Sequence, residues 1–436
     1  MIFQYVYFRL CWLLIPFWTL PFIPGLFKPI STLLVSVVAV PYLIKRVFIT
    51  RSLEKLDLVL ICYITFSLLI GILFSFNSFG VNNVVAFSMF LCGTLSFFGY
   101  KYLVNYKGFE FALQLIKSAI YVTVLIGWVD LLSWAGLIPK VLGESLSLVL
   151  SGKTPSRIVL TTSEPAWACR LISLLLPFAW YFMKVDQRVK SKFVFYSLII
   201  FFIATFSLSG VVILVFFVVA FLLNKFSISN IIKTLLYGLI IMQLFAIVFT
   251  SIKESGGYYV SRIDKIANLD NVENVMSLKT LSKLDGSAFI RLGYPIISFN
   301  IFLENPEGLG LGNYGNHFSD YVKRNMGYAL ENVTVSKHVE KQNADQRNFI
   351  TKLVTDNGLV TFLFIVSFYL ISYLQIKKIL KKFPRDHFAK CLLFGMFFMF
   401  ANMIQMASYL FISYWLIPAL ISCYYTKRVL NEKQNS

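Results

Sequence analysis

The sequence predicts an all-α integral membrane protein with about twelve transmembrane helices and a large, partly helical loop on the outer side. Hydrophobic residues make up 58% of the chain and charged residues only 14%, and the apolar residues are gathered into long runs. A soluble domain usually carries about 25% charged residues, and no water-soluble fold could hide this much apolar surface. Lipid must therefore be part of the solvent of this chain.

The apolar runs divide the chain into three parts. Residues 1–250 are predicted to form a transmembrane bundle of about nine helices with an outer loop near 137–164, residues 251–350 a large outer loop, and residues 351–436 the last helices and a tail. The first run is interpreted as an uncleaved signal-anchor helix. The runs lie near 10–27, 29–44, 57–76, 83–99, 111–136, 165–183, 193–208, 210–224, 232–250, 351–375, 389–407 and 409–426.

Basic residues determine the predicted orientation. Lys and Arg gather in loops that an even number of spans places on one side, whereas the loop 77–83 on the other side has neither. Basic loops stay on the cytoplasmic side, so both termini are expected there. The same rule explains the net charge of +19, and no nucleic-acid partner is expected. The basic loops contain Lys45, Arg46, Arg51 and Lys55, then Lys184, Arg188, Lys190 and Lys192, then Lys377, Lys378, Lys381, Lys382, Arg385 and Lys390.

Several kinds of soluble chemistry find no support in the sequence. All six Cys lie in apolar stretches, which indicates buried small side chains and neither a disulfide framework nor a metal cluster. The run from Gly310 to Gly315 fits GxGxxG, but no strand precedes it and it lies on the wrong side of the membrane for NAD. No Walker A motif occurs. We therefore expect neither a metal nor an organic cofactor.

The first candidate site lies where the sixth predicted helix begins at the outer face. Pro165 suits the first turn of a helix, which makes Glu164 or Ser163 the expected N-cap. The N-terminal N–H groups of this helix then point outward and attract anions, phosphate in particular. Arg170 lies about 9 Å deeper, a costly depth unless it faces a polar cavity or a partner. Arg157 precedes the helix, so Glu164 either pairs with an Arg or takes part in chemistry directly.

Two further candidate sites lie in the large loop. Arg291 is embedded in an apolar helical stretch followed by a Gly-rich turn, a pattern that could present a fixed guanidinium to a phosphate. Arg347 and Asn348 lie where the chain re-enters the membrane. Tyr314 and His317 follow the Gly-rich turn and are candidates for contacts with the same ligand, although a lone His is more often structural.

Taken together, these features resemble the superfamily of bacterial O-antigen polymerases (Wzy) and O-antigen ligases. The resemblance spans residues 150–375 and rests on the order and spacing of short motifs. These are Arg157 upstream of SEP at 163–165, SLSG at 207–210, Arg291 followed by ENPEGLGLGN at 304–313, and Arg347-Asn348 followed by Leu353 and Gly358. Where members often have His before this Asn, the chain has Arg347, which favours a polymerase over a ligase.

The resemblance implies a GT-C-like glycosyltransferase at the periplasmic face of the bacterial inner membrane. Its donor would be a growing glycan on undecaprenyl diphosphate and its acceptor a second lipid-linked repeat unit, with membrane lipids and a chain-length regulator as further partners. Protein cations would then neutralise the leaving diphosphate. The expected roles are Glu164 as the base, with His317 as the second choice, Arg157 and Arg291 in catalysis, and binding by Arg170, Tyr314, His317, Arg347 and Asn348. The alternative role of Glu164 is to position an Arg, and the reaction would then rely on stabilisation of the leaving group.

Two alternatives remain open from the sequence. An O-antigen ligase would use the same donor but transfer the glycan to lipid A–core. A flippase of polysaccharide precursors would show polar residues distributed through many helices and no large external loop. Here the unusual charges concentrate at the outer face, which favours an enzyme.

Overall fold

The computed structural model confirms a helical protein. It describes residues 2–20, 28–50, 52–75, 80–152, 157–205, 207–224, 278–279, 282 and 286–430, and within these ranges it contains helices and no strand. The ninth predicted run, 232–250, and the first part of the predicted outer loop lie outside the described residues.

The described ranges contain fifteen α-helices. They are α1 Ile2–Leu13, α2 Ile30–Ile44, α3 Lys55–Ser75, α4 Val81–Lys107, α5 Phe109–Trp134, α6 Lys140–Ser151, α7 Pro165–Asp186, α8 Val189–Ala204, α9 Leu208–Asn224, α10 Gly286–Glu304, α11 Tyr314–Asn325, α12 Val333–Glu340, α13 Phe349–Lys382, α14 His387–Met403 and α15 Ile412–Tyr425. A 3₁₀ turn, Gly327–Glu331, joins α11 to α12, and single π-helical turns extend α2 and α15.

Six of the described helices are long and apolar enough to cross a membrane. They are α2 with its extension to Ile49, then α3, α4, α5, α7 and α13, while α9 and α14 contain shorter apolar stretches. The chain is therefore a helical membrane protein. We call the end of the bundle that holds Val81 and Pro165 the outer end, and the end that holds Lys107 and Lys382 the inner end, after the predicted orientation.

Three predicted spans differ from the observed helices. The run 10–27 does not form one helix, because α1 ends at Leu13 and a turn follows through Pro16, which lacks the N–H group that a helix interior requires. The runs 389–407 and 409–426 become α14 and α15, of 17 and 14 residues. At 1.5 Å per residue, α15 is only about 21 Å long, shorter than a typical hydrocarbon core.

The connection between α14 and α15 is recessed in the bundle. A Cβ on Gly93, in the middle part of α4, would lie 2.1 Å from the carbonyl oxygen of Tyr409. Tyr409, Leu410 and Phe411 are buried, and the indole of Trp415 donates to the Tyr409 carbonyl at 2.6 Å. Non-helical backbone at membrane depth is tolerated where protein surrounds it. We refer to residues 404–411 as the recessed segment.

Helices α10, α11 and α12 form a small unit with its own hydrophobic core at the outer end. We call this unit, residues 286–340, the loop unit. Buried Phe289, Tyr294, Phe318 and Val335 belong to this core. The unit attaches to the bundle through α10, which packs along α13; there the hydroxyls of Ser298 and Thr355 lie 2.8 Å apart.

The Gly-rich stretch 306–313 joins this unit to a break in α13. The break is at Gly358, whose φ of 73° is left-handed. Around it, Leu309 N–H donates to the Thr355 carbonyl at 2.8 Å and Leu359 N–H donates to the Pro306 carbonyl at 3.0 Å. A Cβ on Gly358 would lie 2.1 Å from the Glu307 carbonyl oxygen. The glycines therefore permit backbone-to-backbone docking at this break. Glycines of the GxGxxG pattern make close approaches elsewhere, since a Cβ on Gly312 would lie 2.7 Å from Asn83 Cα and one on Gly315 would lie 1.8 Å from the Gln342 carbonyl oxygen.

A buried ion cluster joins three helices at the inner end. The Lys101 ammonium is fully buried and lies 2.7 Å from an Asp57 carboxylate oxygen and 3.0 Å from a Glu54 carboxylate oxygen. Glu54 also accepts hydrogen bonds from Ser422 at 2.7 Å and Thr426 at 3.1 Å. The cluster connects the start of α3, the last two turns of α4 and the end of α15, so each buried charge is compensated.

Replacing Gly358 by Ala should weaken the docking of the Gly-rich stretch. We expect a loss of at least about 3 kcal/mol in the free energy of unfolding, because a left-handed φ and a clash with backbone act together. Gly136→Ala is the matched control: its φ is 74° but nothing lies within 4 Å of the added Cβ, so only about 1–2 kcal/mol should be lost. Denaturant unfolding in detergent measures both, and equal losses would contradict the docking.

Replacing Lys101 by Met should destabilise the protein strongly. Two carboxylates would remain buried without their cation, which costs about 3–5 kcal/mol. The control is Lys117→Met, since Lys117 pairs with Asp186 where both side chains are partly exposed and such pairs contribute about 0–1 kcal/mol. Equal decreases of the unfolding midpoint in the two variants would show that the Lys101 cluster contributes no more to stability than a partly exposed ion pair.

Candidate functional site

A non-helical strip, residues 157–164, lies at the outer end before α7 and is buried over residues 158–162. The Asp130 carboxylate, near the end of α5, accepts the N–H groups of Val159 at 2.8 Å and Leu160 at 2.9 Å. The Thr161 hydroxyl donates to the Pro16 carbonyl at 2.6 Å. Asp130 therefore satisfies backbone N–H groups that would otherwise be buried without partners.

Glu164 is the N-cap residue of α7, as one of the two sequence alternatives predicted. Its backbone is extended, and its carbonyl accepts the N–H groups of Trp167 at 3.0 Å and Ala168 at 3.1 Å. Its side chain makes no capping hydrogen bond to α7 and is exposed. The carboxylate is therefore not engaged by the end of its own helix.

Arg170 is the most unusual charge in the described structure. The residue is only 8% exposed; its guanidinium donates to the Gln405 carbonyl at 3.0 Å and lies 3.4 Å from the Met406 sulfur. Its Nε has no hydrogen-bond partner, and among the described residues no carboxylate forms an ion pair with it. A buried cation without an anion is costly, so this position favours binding of an anion.

Arg291 approaches the same region from α10. Its guanidinium lies 3.3 Å from the Ser209 hydroxyl, and the Gln405 side-chain amide donates to the Ser209 carbonyl at 3.1 Å. Arg291 and Glu164 are both close enough to act electrostatically on Arg170.

Arg157 lies at the start of the non-helical strip that leads into α7. We call Arg157, Arg170 and Arg291 the arginine cluster. The predicted residues Glu164 and these three arginines come from two separate parts of the chain, residues 157–170 and α10.

The arginine cluster has the composition of a phosphate-binding site. Three guanidinium groups lie near the N-termini of α7 and α9, and helix N-termini add positive potential and N–H donors. Guanidinium groups also match the geometry of phosphate oxygens. The arrangement can hold a diphosphate and stabilise the charge that develops on it as a leaving group.

Sequence reasoning missed the recessed segment. Gln405 and Met406 of this segment hold Arg170, and the amide of neighbouring Asn402 donates to the Ser173 hydroxyl at 2.9 Å. The available signal was the pair of amide side chains, Asn402 and Gln405, inside an apolar run. Amides in a membrane helix indicate polar contacts between helices.

Arg347 and Asn348 lie apart from the arginine cluster in the described contacts. The Asn348 side chain caps α13 by accepting N–H groups from Ile350 at 2.8 Å and Thr351 at 3.1 Å. Arg347 is exposed, has a φ of 62°, and acts electrostatically on Tyr294 and His338. Asn348 therefore acts as a helix cap, a role that the sequence analysis did not predict.

Tyr314 is buried in the core of the loop unit, only 3% exposed, which leaves little of its ring for a ligand. His317, one turn further, is exposed and lines a cavity of about 120 Å³ with Asn305, Glu307 and Asn316. Partial burial lowers the pKa of His317, so its imidazole is neutral near neutral pH and able to accept a proton. No described hydrogen bond joins His317 to the arginine cluster.

A second polar network lies in the outer part of α13. The Lys352 ammonium lies 3.2 Å from Asp356 and 3.1 Å from the Gln346 side-chain oxygen, and Gln346 donates to Asp356 at 2.7 Å. Tyr409 of the recessed segment is 3.5 Å from Asp356 and accepts from Asn357 at 3.0 Å. The first turns of α13 therefore contact Tyr409 of the recessed segment, whereas Arg170 contacts Gln405 and Met406 of the same segment.

Comparisons with known proteins do not assign this chain to a family. No protein-family model matches the chain, and no curated protein matches it. Among the described residues, no three His, Cys, Asp or Glu side chains converge in a geometry suited to a metal ion.

Replacing Arg170 by Met should leave stability unchanged or raise it. The substitution removes a buried charge that no described carboxylate compensates, and a side chain of similar length fills the space. Unfolding in detergent should therefore separate Arg170→Met from Lys101→Met, whose charge is compensated. A loss in Arg170→Met as large as that in Lys101→Met would mean that Arg170 holds the structure together.

Proposed function

We propose that this protein is a polymerase of lipid-linked glycan repeat units with a GT-C-like architecture in the bacterial inner membrane. It transfers the growing glycan from undecaprenyl diphosphate to the non-reducing sugar of a second lipid-linked repeat unit at the periplasmic face. The observation that carries this proposal is the buried Arg170 with no described carboxylate partner, beside Arg157 and Arg291 at the outer end of the bundle.

The donor diphosphate is assigned to the arginine cluster. A polyprenyl diphosphate brings its phosphates to the membrane surface while its chain stays in lipid, and Arg170 lies about one and a half turns below the start of α7. The phosphates then provide the anion that the buried guanidinium requires. Arg291, exposed on α10, can close over the diphosphate from the loop unit.

Glu164 is assigned as the base. The acceptor hydroxyl attacks the anomeric carbon of the donor sugar, its proton passes to the Glu164 carboxylate, and the bond from that carbon to the diphosphate oxygen breaks. The electron pair leaves with undecaprenyl diphosphate, where the arginine cluster stabilises it. The side chain of Glu164 is suited to this role because it is exposed at the outer end, at the start of α7.

The position of the charges favours transfer over transport. Arg157, Arg170 and Arg291 gather at one end with an ordered loop unit above them, whereas a transport path requires polar groups along the bundle. A chain-length regulator is a further proposed partner. A ligase would share the donor site and differ in its acceptor, so the acceptor distinguishes the two enzymes.

Reconstitution of the purified protein with a synthetic diphosphate-linked repeat unit tests the proposal. We expect a ladder of lipid-linked oligomers on a gel. Movement of the lipid across vesicles without a ladder would overturn the polymerase assignment in favour of a flippase. A single transfer to lipid A–core without a ladder would overturn it in favour of a ligase.

Substitutions in the arginine cluster should remove the ladder. Arg170→Met, Arg157→Ala and Arg291→Ala should each lower the rate by roughly 10²-fold or more, as expected when a group that stabilises a leaving charge is lost. The matched control is Arg324→Ala in the same loop unit, since Arg324 is exposed and pairs with Glu304 at the surface. Full activity in all three cluster variants would remove the site assignment.

A further inference from the structure

An open groove lies at the inner end of the bundle, opposite the arginine cluster. It has a volume of about 630 Å³ and is formed by the end of α7, the turn between α13 and α14, and the end of α15. Nothing in the proposed transfer reaction uses this groove. It nevertheless combines an aromatic floor with a basic rim.

The floor of the groove is rigid and apolar. The rings of Phe388 and Tyr424 lie 4.9 Å apart, and those of Tyr181 and Phe388 lie 5.2 Å apart. Phe388 and Tyr424 are buried. Val185 lies one turn from Tyr181 and also lines the groove, so the two form an apolar track along α7 that leads from the rim toward the middle of the bundle.

The rim carries Lys382, Arg385 and Arg428. Asp386, the one carboxylate among the residues that line the groove, is already engaged. It accepts the N–H groups of Phe388 and Ala389, each at 3.0 Å, and the Tyr424 hydroxyl at 2.6 Å. It also forms an ion pair with the Arg428 guanidinium at 3.7 Å, so one carboxylate faces three basic side chains. The rim therefore keeps an excess of positive charge.

The geometry holds part of this charge in place. The Arg428 guanidinium donates to the Tyr424 hydroxyl at 3.0 Å and lies 5.7 Å from the centre of the Phe383 ring. The Lys382 ammonium lies 5.3 Å from the same ring. Cations held over aromatic rings at the end of candidate membrane spans lie at the level of lipid headgroups.

We propose that this groove binds an anionic phospholipid of the cytoplasmic leaflet. Lys382 and Arg385 contact its phosphate, and an acyl chain follows the track of Val185 and Tyr181. Basic pockets between transmembrane helices on the cytoplasmic side have the chemistry that recognises such headgroups. The inference uses the proposed orientation of the bundle and is independent of the glycan-transfer reaction.

Native mass spectrometry of the purified full chain with added phosphatidylglycerol tests the groove. We expect retention of phosphatidylglycerol in preference to phosphatidylcholine. The double variant Lys382→Gln with Arg385→Gln should bind phosphatidylglycerol roughly tenfold more weakly, because each basic side chain at a membrane surface contributes substantially to attraction of anionic lipid. Both residues are exposed, so the variant should fold.

The matched control is Lys190→Gln with Lys192→Gln. Both lysines are exposed at the same end of the bundle but do not line the groove, so this variant should keep wild-type binding. Equal weakening in the two double variants would overturn the groove in favour of diffuse surface attraction. Displacement of the lipid by excess inorganic phosphate would also overturn it, since the ligand would then be a soluble anion. Lipid binding is the readout, so the outcome does not depend on glycan transfer.

Discussion

Backbone N–H and C=O groups that leave a helix within a bilayer must find partners in the protein, since lipid offers none. Three of the places where the described chain leaves helical geometry toward the outer end are the strip 157–164, the break at Gly358 and the recessed segment 404–411. Each is held by protein groups. Asp130 satisfies the strip, the Gly-rich stretch satisfies the break, and Trp415 donates to the recessed segment. The candidate site lies among these three irregular segments.

Buried cations have different partners at the two ends of the bundle. At the inner end, Lys101 has two carboxylates within 3.0 Å, so its charge is compensated within the protein. At the outer end, Arg170 has carbonyl and sulfur contacts and no described ion pair. The first arrangement connects helices and the second leaves an anion to be supplied. This contrast, and not the number of basic residues, distinguishes a structural cation from one placed for a ligand.

The loop unit relates to the site through its attachment to α13. The glycines of 306–313 allow its backbone to pair with the backbone around Gly358, and α10 then carries Arg291 to Ser209 at the start of α9. A residue far from Arg170 in sequence is thereby held beside it. The unit has its own core, so Arg291 is presented by an ordered element and not by a loose connection.

The sequence by itself determined that the protein is helical with long apolar helices, because hydropathy is a local signal. It also singled out Arg157, Arg170 and Arg291 as candidate site residues, because they are isolated charges in or beside apolar runs. It also predicted that Glu164 or Ser163 would be the N-cap of α7, because Pro165 is favoured in the first turn of a helix. It did not predict that Asn348 caps α13, that α14 and α15 are shorter than the apolar runs that contain them, or that Gln405 and Met406 contact Arg170. Only the tertiary structure decided these points, since they depend on which backbone groups are left without partners once the helices pack.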